Sequence, residues 1–253
     1  MFVNCVPVRW CVCTLVCAST ALICAADVLG LCAYGRGAAL VDNCGLATTS
    51  EPSMHTAILT FDGFNELDSL IALGILNRIK HPGWRVSIAS PDETVTSMNG
   101  VVMHRQVPLD ELGSFDVVLV GSGIKTREVA NDVLIMKALA QLDPARQLIG
   151  AQCSGTLLLA RLGLLNGVPG CTDLTSTPWV RDAGIDVLDQ PFFARGNLAT
   201  AGGCLASIYL AAWVLARTVG RDAAAEALHY VAPVGEKMAY VERALSNIEP
   251  YLA

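Results

Sequence analysis

The segment QLIGAQCSGTLLLARLGLL (147–165) places a cysteine between a strand and a helix. Its apolar run 148–151 predicts a buried parallel strand, and the letters after Cys153 predict an amphipathic helix rich in leucine. A residue at such a turn lies at the carboxyl edge of the sheet, where open α/β folds bind ligands. The arrangement parallels the nucleophile elbow of serine hydrolases, with sulfur in place of the hydroxyl oxygen. Cys153 is therefore a candidate nucleophile.

Two interpretations of Cys153 remain open from its position alone. A thiol at a helix N-terminus lies near partial positive charge and free N–H groups, so a lowered pKa and a reactive thiolate are expected. Cysteine is also a common buried residue, and Cys153 could simply pack in the core.

Three loops follow the carboxyl ends of predicted strands: 63–68, 121–126 and 153–156. Such loops converge on one crevice in a doubly wound sheet. A thiolate that attacks carbon needs donors for the developing negative charge, and the N–H groups of Ser154 and Gly123 are the candidates. Asp68 could hold the proton that moves between sulfur, substrate and water.

Each of these features also has an ordinary structural interpretation. Asp68 could be an exposed acid in the first turn of a helix, and the glycines of GSG (121–123) could serve only the turn. Cys171 and Cys204 lie at the edges of apolar runs and are interpreted as core residues. The histidines lack metal-ligand spacing and a motif partner; they are His55, His81, His104 and His229.

Composition and charge narrow the class of protein. The net charge of −6 without a basic stripe argues against a nucleic-acid partner. Seven of the ten cysteines occur within the first 44 residues. The three later ones form neither a disulfide framework nor a zinc-finger spacing, which predicts a reduced, cytoplasmic-type domain.

The first 53 residues are expected to form an apolar, cysteine-rich extension. The uncharged run 10–26 follows Arg9 and precedes Asp27, as in a signal peptide. It could alternatively be a short membrane anchor or a segment that does not fold. If this run acts as a signal peptide, the protein would be exported. If it is retained as an anchor, the protein would associate with a membrane. The folded unit is predicted to begin at Met54 and extend to residue 253.

From Met54 onward the periodicity alternates between strand and helix. Strands are predicted over 55–61, 84–90, 115–121 and 148–151, a hairpin around Asn99-Gly100, and two short strands within 192–203; helices are predicted over 66–80, 131–142, 204–220 and near the C-terminus. This pattern predicts a flavodoxin-like doubly wound α/β fold, with a mostly parallel sheet and helices on both faces.

Four segments in this order resemble the ThiJ/PfpI superfamily: AILTFDGFNELDSL, FDVVLVGSGIKTR, IGAQCSGTLLLARLGLLNG and RGNLATAGG. The superfamily includes protein deglycases, PfpI-type proteases and isonitrile hydratases. The resemblance implies a flavodoxin-like fold with a cysteine on the elbow, a homodimer, and no metal or organic cofactor. At the positions that match the superfamily's motifs, the resemblance implies that Cys153 is the nucleophile and that Asp68 is the acid that hydrogen-bonds the thiol. It also implies that Gly123 and Ser154 supply the oxyanion donors.

The resemblance also bears on the substrate. Deglycases usually carry glutamate as the acid, whereas isonitrile hydratases carry aspartate, as here. Where many members have a histidine after the elbow helix, this chain has Asp173, which is expected with Gly121 and Ser122 to bind substrate. The leading prediction is therefore a cysteine-dependent isonitrile hydratase acting on a small electrophile. The alternatives are a glyoxalase or deglycase acting on α-oxoaldehydes, and a non-catalytic cysteine sensor of redox state or ligand.

Overall fold

The structure, a computed structural model, describes residues 53–252. The predicted N-terminal extension, with its signal-peptide and anchor alternatives, lies outside the described residues except for its last position. Among the helices of residues 53–252, none has the length and apolar character needed to cross a bilayer.

Within residues 53–252, seven strands form the central sheet and two more form a separate hairpin. The strands are β1 (Met54–Leu59), β2 (Trp84–Ser90), β3 (Thr94–Thr96), β4 (Val102–His104), β5 (Val107–Pro108), β6 (Val117–Val120), β7 (Leu148–Gln152), β8 (Phe192–Arg195) and β9 (Leu198–Ala201). The order in the sheet is β5-β2-β1-β6-β7-β9-β8. Every neighbouring pair is parallel except β8 with β9. The predicted, mostly parallel sheet is confirmed.

Helices cover both faces of this sheet, as in a doubly wound fold. They are α1 (Glu66–Leu76), α2 (Thr126–Val129), α3 (Val133–Leu139), α4 (Thr156–Arg161), α5 (Thr177–Asp182), α6 (Ser207–Thr218), α7 (Arg221–Val231) and α8 (Lys237–Ile248). One core contains side chains of α1, α6, α7 and α8, and the other contains side chains of α3, α4 and α5. Neighbouring residues of β1 serve opposite cores, Ile58 the first and Leu59 the second, because strand side chains alternate between faces.

Most predicted elements are present, and the differences lie at helix ends. Strand 84–90 has its predicted bounds, and the Asn99-Gly100 hairpin is formed by β3 and β4. The helix predicted over 66–80 ends at Leu76, where the Asn77 amide donates to the Leu73 carbonyl. The helix after Cys153 ends at Arg161 because Gly163 takes a positive φ of 75°.

The apolar segment 204–220 was expected to be a buried core helix, and this is confirmed. It forms a short 3-10 turn, Cys204–Ala206, followed by α6. Trp213 in the middle of α6 is fully buried and packs with Phe192 of β8, with their ring centroids 6.3 Å apart. The packing of α6 on the sheet also places its N-terminal end at the carboxyl edge of β9.

Candidate active site

Cys153 lies directly after β7, at the sharp turn where the strand enters a 3-10 turn, Cys153–Gly155, and then α4. Its φ is 47°, and among residues 53–252 no other non-glycine residue has a positive φ. Such backbone strain costs of order 1–3 kcal/mol and persists only where the surroundings enforce it. Thr172 contributes to this by donating to the Cys153 carbonyl at 2.8 Å. The predicted elbow is therefore present, and its backbone is strained at Cys153.

Gly155 allows the elbow to pack closely against the neighbouring strand β6. A Cβ added at Gly155 would lie 2.5 Å from the Gly121 carbonyl oxygen and 2.7 Å from that of Val120. Real side-chain carbons do not approach backbone this closely, so the absence of a Cβ at Gly155 sets the position of the turn that carries Cys153.

Asp68 lies in the first turn of α1, yet it is buried, with 3 % of its surface exposed. Ser122 donates a hydrogen bond to Asp68 Oδ2. A carboxylate oxygen of Asp68 lies within 4.8 Å of the Cys153 sulfur. The interpretation of Asp68 as an exposed first-turn acid is wrong. The other acid in this turn, Glu66, accepts hydrogen bonds from Ser97 and Asn99.

Backbone contacts hold the acid loop against the glycine loop. The Asn65 N–H donates to the Ser122 carbonyl at 2.8 Å, and the Ile124 N–H donates to the Gly63 carbonyl at 2.9 Å. Asn65 also caps α1, since its side-chain oxygen accepts from the Leu67 N–H at 3.1 Å. These contacts fix where the carboxyl of Asp68 stands relative to the thiol.

The electrostatics of the pair differ from the sequence expectation. Burial raises the pKa of Asp68 above the usual aspartate value. Burial also raises the pKa of Cys153, and the negative charge of Asp68 raises it further. The expected lowering of the Cys153 pKa by a helix N-terminus is wrong. The reasons are that α4 has only six residues and that the thiol is 3 % exposed beside a carboxylate.

Replacement of Asp68 by asparagine is expected to speed alkylation of Cys153. The change removes the negative charge but keeps the shape, so the pKa of Cys153 falls and the thiolate fraction rises, by about tenfold for each pKa unit. Iodoacetamide labelling of the full chain at mildly alkaline pH, quantified on the Cys153 peptide by mass spectrometry, measures the effect. Asp222→Asn, an exposed aspartate on α7, is the control. Equal labelling rates in wild type and Asp68→Asn would contradict this account.

The glycine loop 121–123 lies beside the thiol, but its groups have different surroundings. The Gly123 N–H donates to Thr126 Oγ1 at 3.1 Å and to Ser154 Oγ at 3.3 Å. The hydroxyls of Thr126 and Ser154 are themselves 2.7 Å apart. The predicted oxyanion donor is thus engaged by two hydroxyls, which an incoming oxyanion would have to displace. Gly121, the first residue of this loop, is buried against the Leu59 carbonyl and is not among the residues that line the cleft, although it was expected to bind substrate.

An open cleft of about 370 Å³ leads to Cys153. Its walls include five of the residues expected in the site or its substrate pocket: Cys153, Ser154, Ser122, Gly123 and Asp173. Asp173 accepts a hydrogen bond from the Ser176 N–H at 3.0 Å. All four histidines of the chain lie within the described residues, and none lines this cleft.

Three residues next to the thiol were not identified from the sequence as parts of a site. Gln152 donates through Nε2 to the Cys153 sulfur at 3.8 Å and to the Gly203 carbonyl at 3.0 Å. Cys204, expected in the core, is only half-buried and lines the cleft, so that expectation is wrong. Asn65 donates through Nδ2 to the Cys204 sulfur at 3.2 Å. Cys204 follows the carboxyl end of β9, and the same edge rule that grouped the other loops points to it.

Comparisons of the sequence with known proteins identify a family with this type of fold. Residues 54–217 match the model of the DJ-1/PfpI family, and the chain belongs to that family. It is 25% identical over 147 residues to Deglycase TK1284 of Thermococcus kodakarensis, a match that covers 57% of this chain and 87% of the relative.

Solved structures show the same fold at lower identity. Schizosaccharomyces pombe DJ-1 superposes with a TM-score of 0.63 and 17% identity, covering 71% of this chain and 100% of that protein. Drosophila melanogaster DJ-1beta gives 0.62 and 21%, covering 71% and 98%. A ThiJ/PfpI family protein from Pseudomonas syringae gives 0.63 and 19%, covering 78% and 88%.

Proposed function

We propose that this protein is a cysteine-dependent hydratase of the isonitrile hydratase type, with Cys153 as the nucleophile. The observation that carries the proposal is the pairing of a buried aspartate with a strained elbow thiol in a cleft that no histidine lines. The reaction adds water to an isonitrile, R–NC, and yields the N-substituted formamide, R–NH–CHO. This chemistry needs one group that can store a proton beside the sulfur, and Asp68 supplies it.

The first step adds the Cys153 S–H across the isonitrile carbon. A C–S bond and a C–H bond form, and the product is a thioimidate, R–N=CH–S, on the enzyme. Asp68 takes the thiol proton as sulfur attacks and passes it to the carbon. Because burial raises its pKa, Asp68 can hold and release this proton closer to neutral pH than an exposed carboxyl can.

The second step consumes water. The water oxygen bonds to the thioimidate carbon while Asp68 accepts one water proton and passes it to the nitrogen, which gives a tetrahedral adduct that carries a hydroxyl. The C–S bond then breaks, and Asp68 transfers the hydroxyl proton to the departing sulfur, which releases the formamide and restores the thiol. Gln152 donates to the sulfur, and the N–H groups of Ser154 and Gly123 would stabilise charge on the oxygen, the latter after it releases the hydroxyls of Thr126 and Ser154. Ser122 orients Asp68, and Asp173 lies where it would contact the substituent R.

A second candidate is a deglycase that acts on α-oxoaldehyde adducts. The curated relative from Thermococcus kodakarensis is named a deglycase, which favours this activity. Here the thiol would add to a carbonyl carbon, and Asp68 would again relay the proton. The aspartate in place of glutamate, and a cleft without histidine, are the features that favour the hydratase over this candidate.

A paired assay separates the two activities. The full chain is incubated with an alkyl isocyanide in water enriched in ¹⁸O, and in parallel with an N-acetylated cysteine or lysine glycated by methylglyoxal. The hydratase proposal predicts an N-alkylformamide that carries one ¹⁸O, formed above the rate in buffer. Release of the unmodified amino acid without any formamide would overturn it in favour of the deglycase. An inactive protein with both substrates would overturn both candidates.

A further inference from the structure

Two cavities adjoin beside the elbow, and Asp173 lies where they meet. The cleft of about 370 Å³ that leads to Cys153 shares Asp173 and Thr175 with a larger cavity of about 860 Å³. Thr172, which lines the larger cavity, donates to the Cys153 carbonyl at 2.8 Å, so this cavity begins directly beside the elbow. A substituent R of more than a few atoms therefore has room to pass Asp173 and enter the larger cavity.

Asp173 is a partly buried carboxylate without a cationic partner among the described residues. Its Oδ1 atom accepts from the Ser176 N–H at 3.0 Å, and within residues 53–252 the carboxylate forms no ion pair. No lysine, arginine or histidine of this part of the chain lines the cleft. Lys125, which follows a residue of the cleft wall, pairs with Asp62 at 3.5 Å. The negative charge of Asp173 is therefore left for a ligand to neutralise.

The charge of Asp173 acts on both the larger cavity and the reacting pair. Among the described residues that line the larger cavity, two are acidic, Asp173 and Asp189, and one is basic, Arg181. Burial is the main cause of the raised pKa of Asp68 and of Cys153, and the charge of Asp173 adds a smaller contribution to each. A cation bound beside Asp173 would offset this contribution and make the thiol easier to deprotonate.

The cleft also offers apolar surface to a substituent. Met98 and Ile124, which are 42 % and 66 % exposed, line it from the hairpin turn and from the segment after the glycine loop. Trp179 of α5 lines it as well. Large apolar side chains that remain exposed around a pocket are typical of a ligand-binding site. An alkyl or aromatic stem of R would pack here, while a charged end of R can reach Asp173 in the same cleft.

We propose that Asp173 selects substrates in which R carries a positive charge, an ammonium group on an apolar stem, and disfavours substrates that carry a carboxylate. The inference rests on the proposed hydratase for the identity of the reacting carbon, and it adds the class of the substituent. The stem packs against Met98, Ile124 and Trp179, and the ammonium group pairs with Asp173 at the junction of the two cavities. The bound cation thereby promotes both binding and the attack by sulfur.

Alkylation of Cys153 by reagents of different charge tests the preference without turnover. Iodoacetamides with a trimethylammonium tail, its neutral tert-butyl isostere or a sulfonate tail are compared on the full chain. Each rate is normalised to that with N-acetylcysteine, and mass spectrometry resolves the Cys153 peptide from those of the other cysteines. We expect the cation to react about fivefold faster than the neutral reagent, the effect of one partly exposed ion pair, and the anion to react more slowly. Equal normalised rates would overturn the inference.

Variants of Asp173 and of a remote aspartate assign the effect. Asparagine at position 173 keeps an oxygen that can accept from the Ser176 N–H, so the charge is removed while the turn is retained. The cation-to-neutral ratio is expected to fall to about one in Asp173→Asn, and to persist in Asp173→Glu and in Asp222→Asn, an exposed position on α7. The ratio is the readout because loss of the charge also changes the reactivity of the thiol towards every reagent. A ratio that persists in Asp173→Asn, or that is lost equally in Asp222→Asn, would overturn the inference.

Alkyl isocyanides with the same three kinds of tail separate this inference from the proposed hydratase. We expect kcat/KM for formamide production to decrease in the order cation, neutral, anion in the wild type, with a smaller difference in Asp173→Asn. Equal kcat/KM for the three isocyanides would overturn the charge preference and leave the hydratase standing. No formamide from any of them, with the alkylation ratio intact, would overturn the hydratase while the charge preference of the cleft remains supported.

Discussion

Cys153→Ala is expected to lower isocyanide turnover by about 10⁴-fold or more, to the background rate of the buffer. Losing a nucleophile removes the covalent route altogether, and single nucleophile deletions in well-studied hydrolases cost of this order or more. The remaining cleft could still bind the isocyanide, but no other described group lies within reach to form the thioimidate except Cys204. Initial rates of formamide production, measured by liquid chromatography, give the ratio.

Two controls belong with this variant. Cys171→Ala removes a fully buried thiol from the neighbouring core and is expected to keep most of the turnover, with only a modest loss of stability. Cys204→Ala asks whether the second cleft thiol substitutes for the first, and retained activity there assigns the nucleophile to Cys153. Turnover by Cys153→Ala near the wild-type rate would show that the elbow cysteine is not the nucleophile.

Gly155→Ala is expected to have the second largest effect, a loss of turnover of about 100-fold together with a lower free energy of unfolding. The new Cβ would stand 2.5 Å from the Gly121 carbonyl oxygen, so the elbow or β6 must shift. A displacement of about 1 Å at a reacting group can cost 10²-fold in rate. Overpacking of this kind typically costs 1–3 kcal/mol of stability. Formamide assays and urea unfolding measure the two effects.

Gly74→Ala is the matched control for this substitution. Gly74 is an exposed residue of α1 at which an added Cβ meets nothing within 4 Å. Alanine there should leave turnover unchanged and stabilise the protein by about 0.5–1 kcal/mol, because glycine is a poor helix former. If Gly155→Ala behaved like Gly74→Ala in both assays, the close approach of the elbow to β6 would not be needed for turnover or for stability.

Local patterns in the sequence predicted most of the fold and part of the site. Alternating periodicities of strand and helix gave the doubly wound sheet, and Asn99-Gly100 gave the hairpin, because turn chemistry and side-chain spacing act over a few residues. The rule that parallel strands end at one edge placed the loops of Asp68, Gly123 and Cys153 together. The ends of α1 and α4 were missed because side-chain and glycine caps outweighed the apolar pattern.

The sequence by itself thus determined the class of fold, the elbow and the neighbourhood of acid and thiol. Only the tertiary structure decided that the pKa of Cys153 is raised, because this shift depends on burial and on the charge of nearby Asp68, which no local pattern encodes. It also decided that Cys204 is a cleft residue and that Gly155 has no room for a side chain. Both follow from contacts between segments far apart in the chain, where packing alone sets the distances.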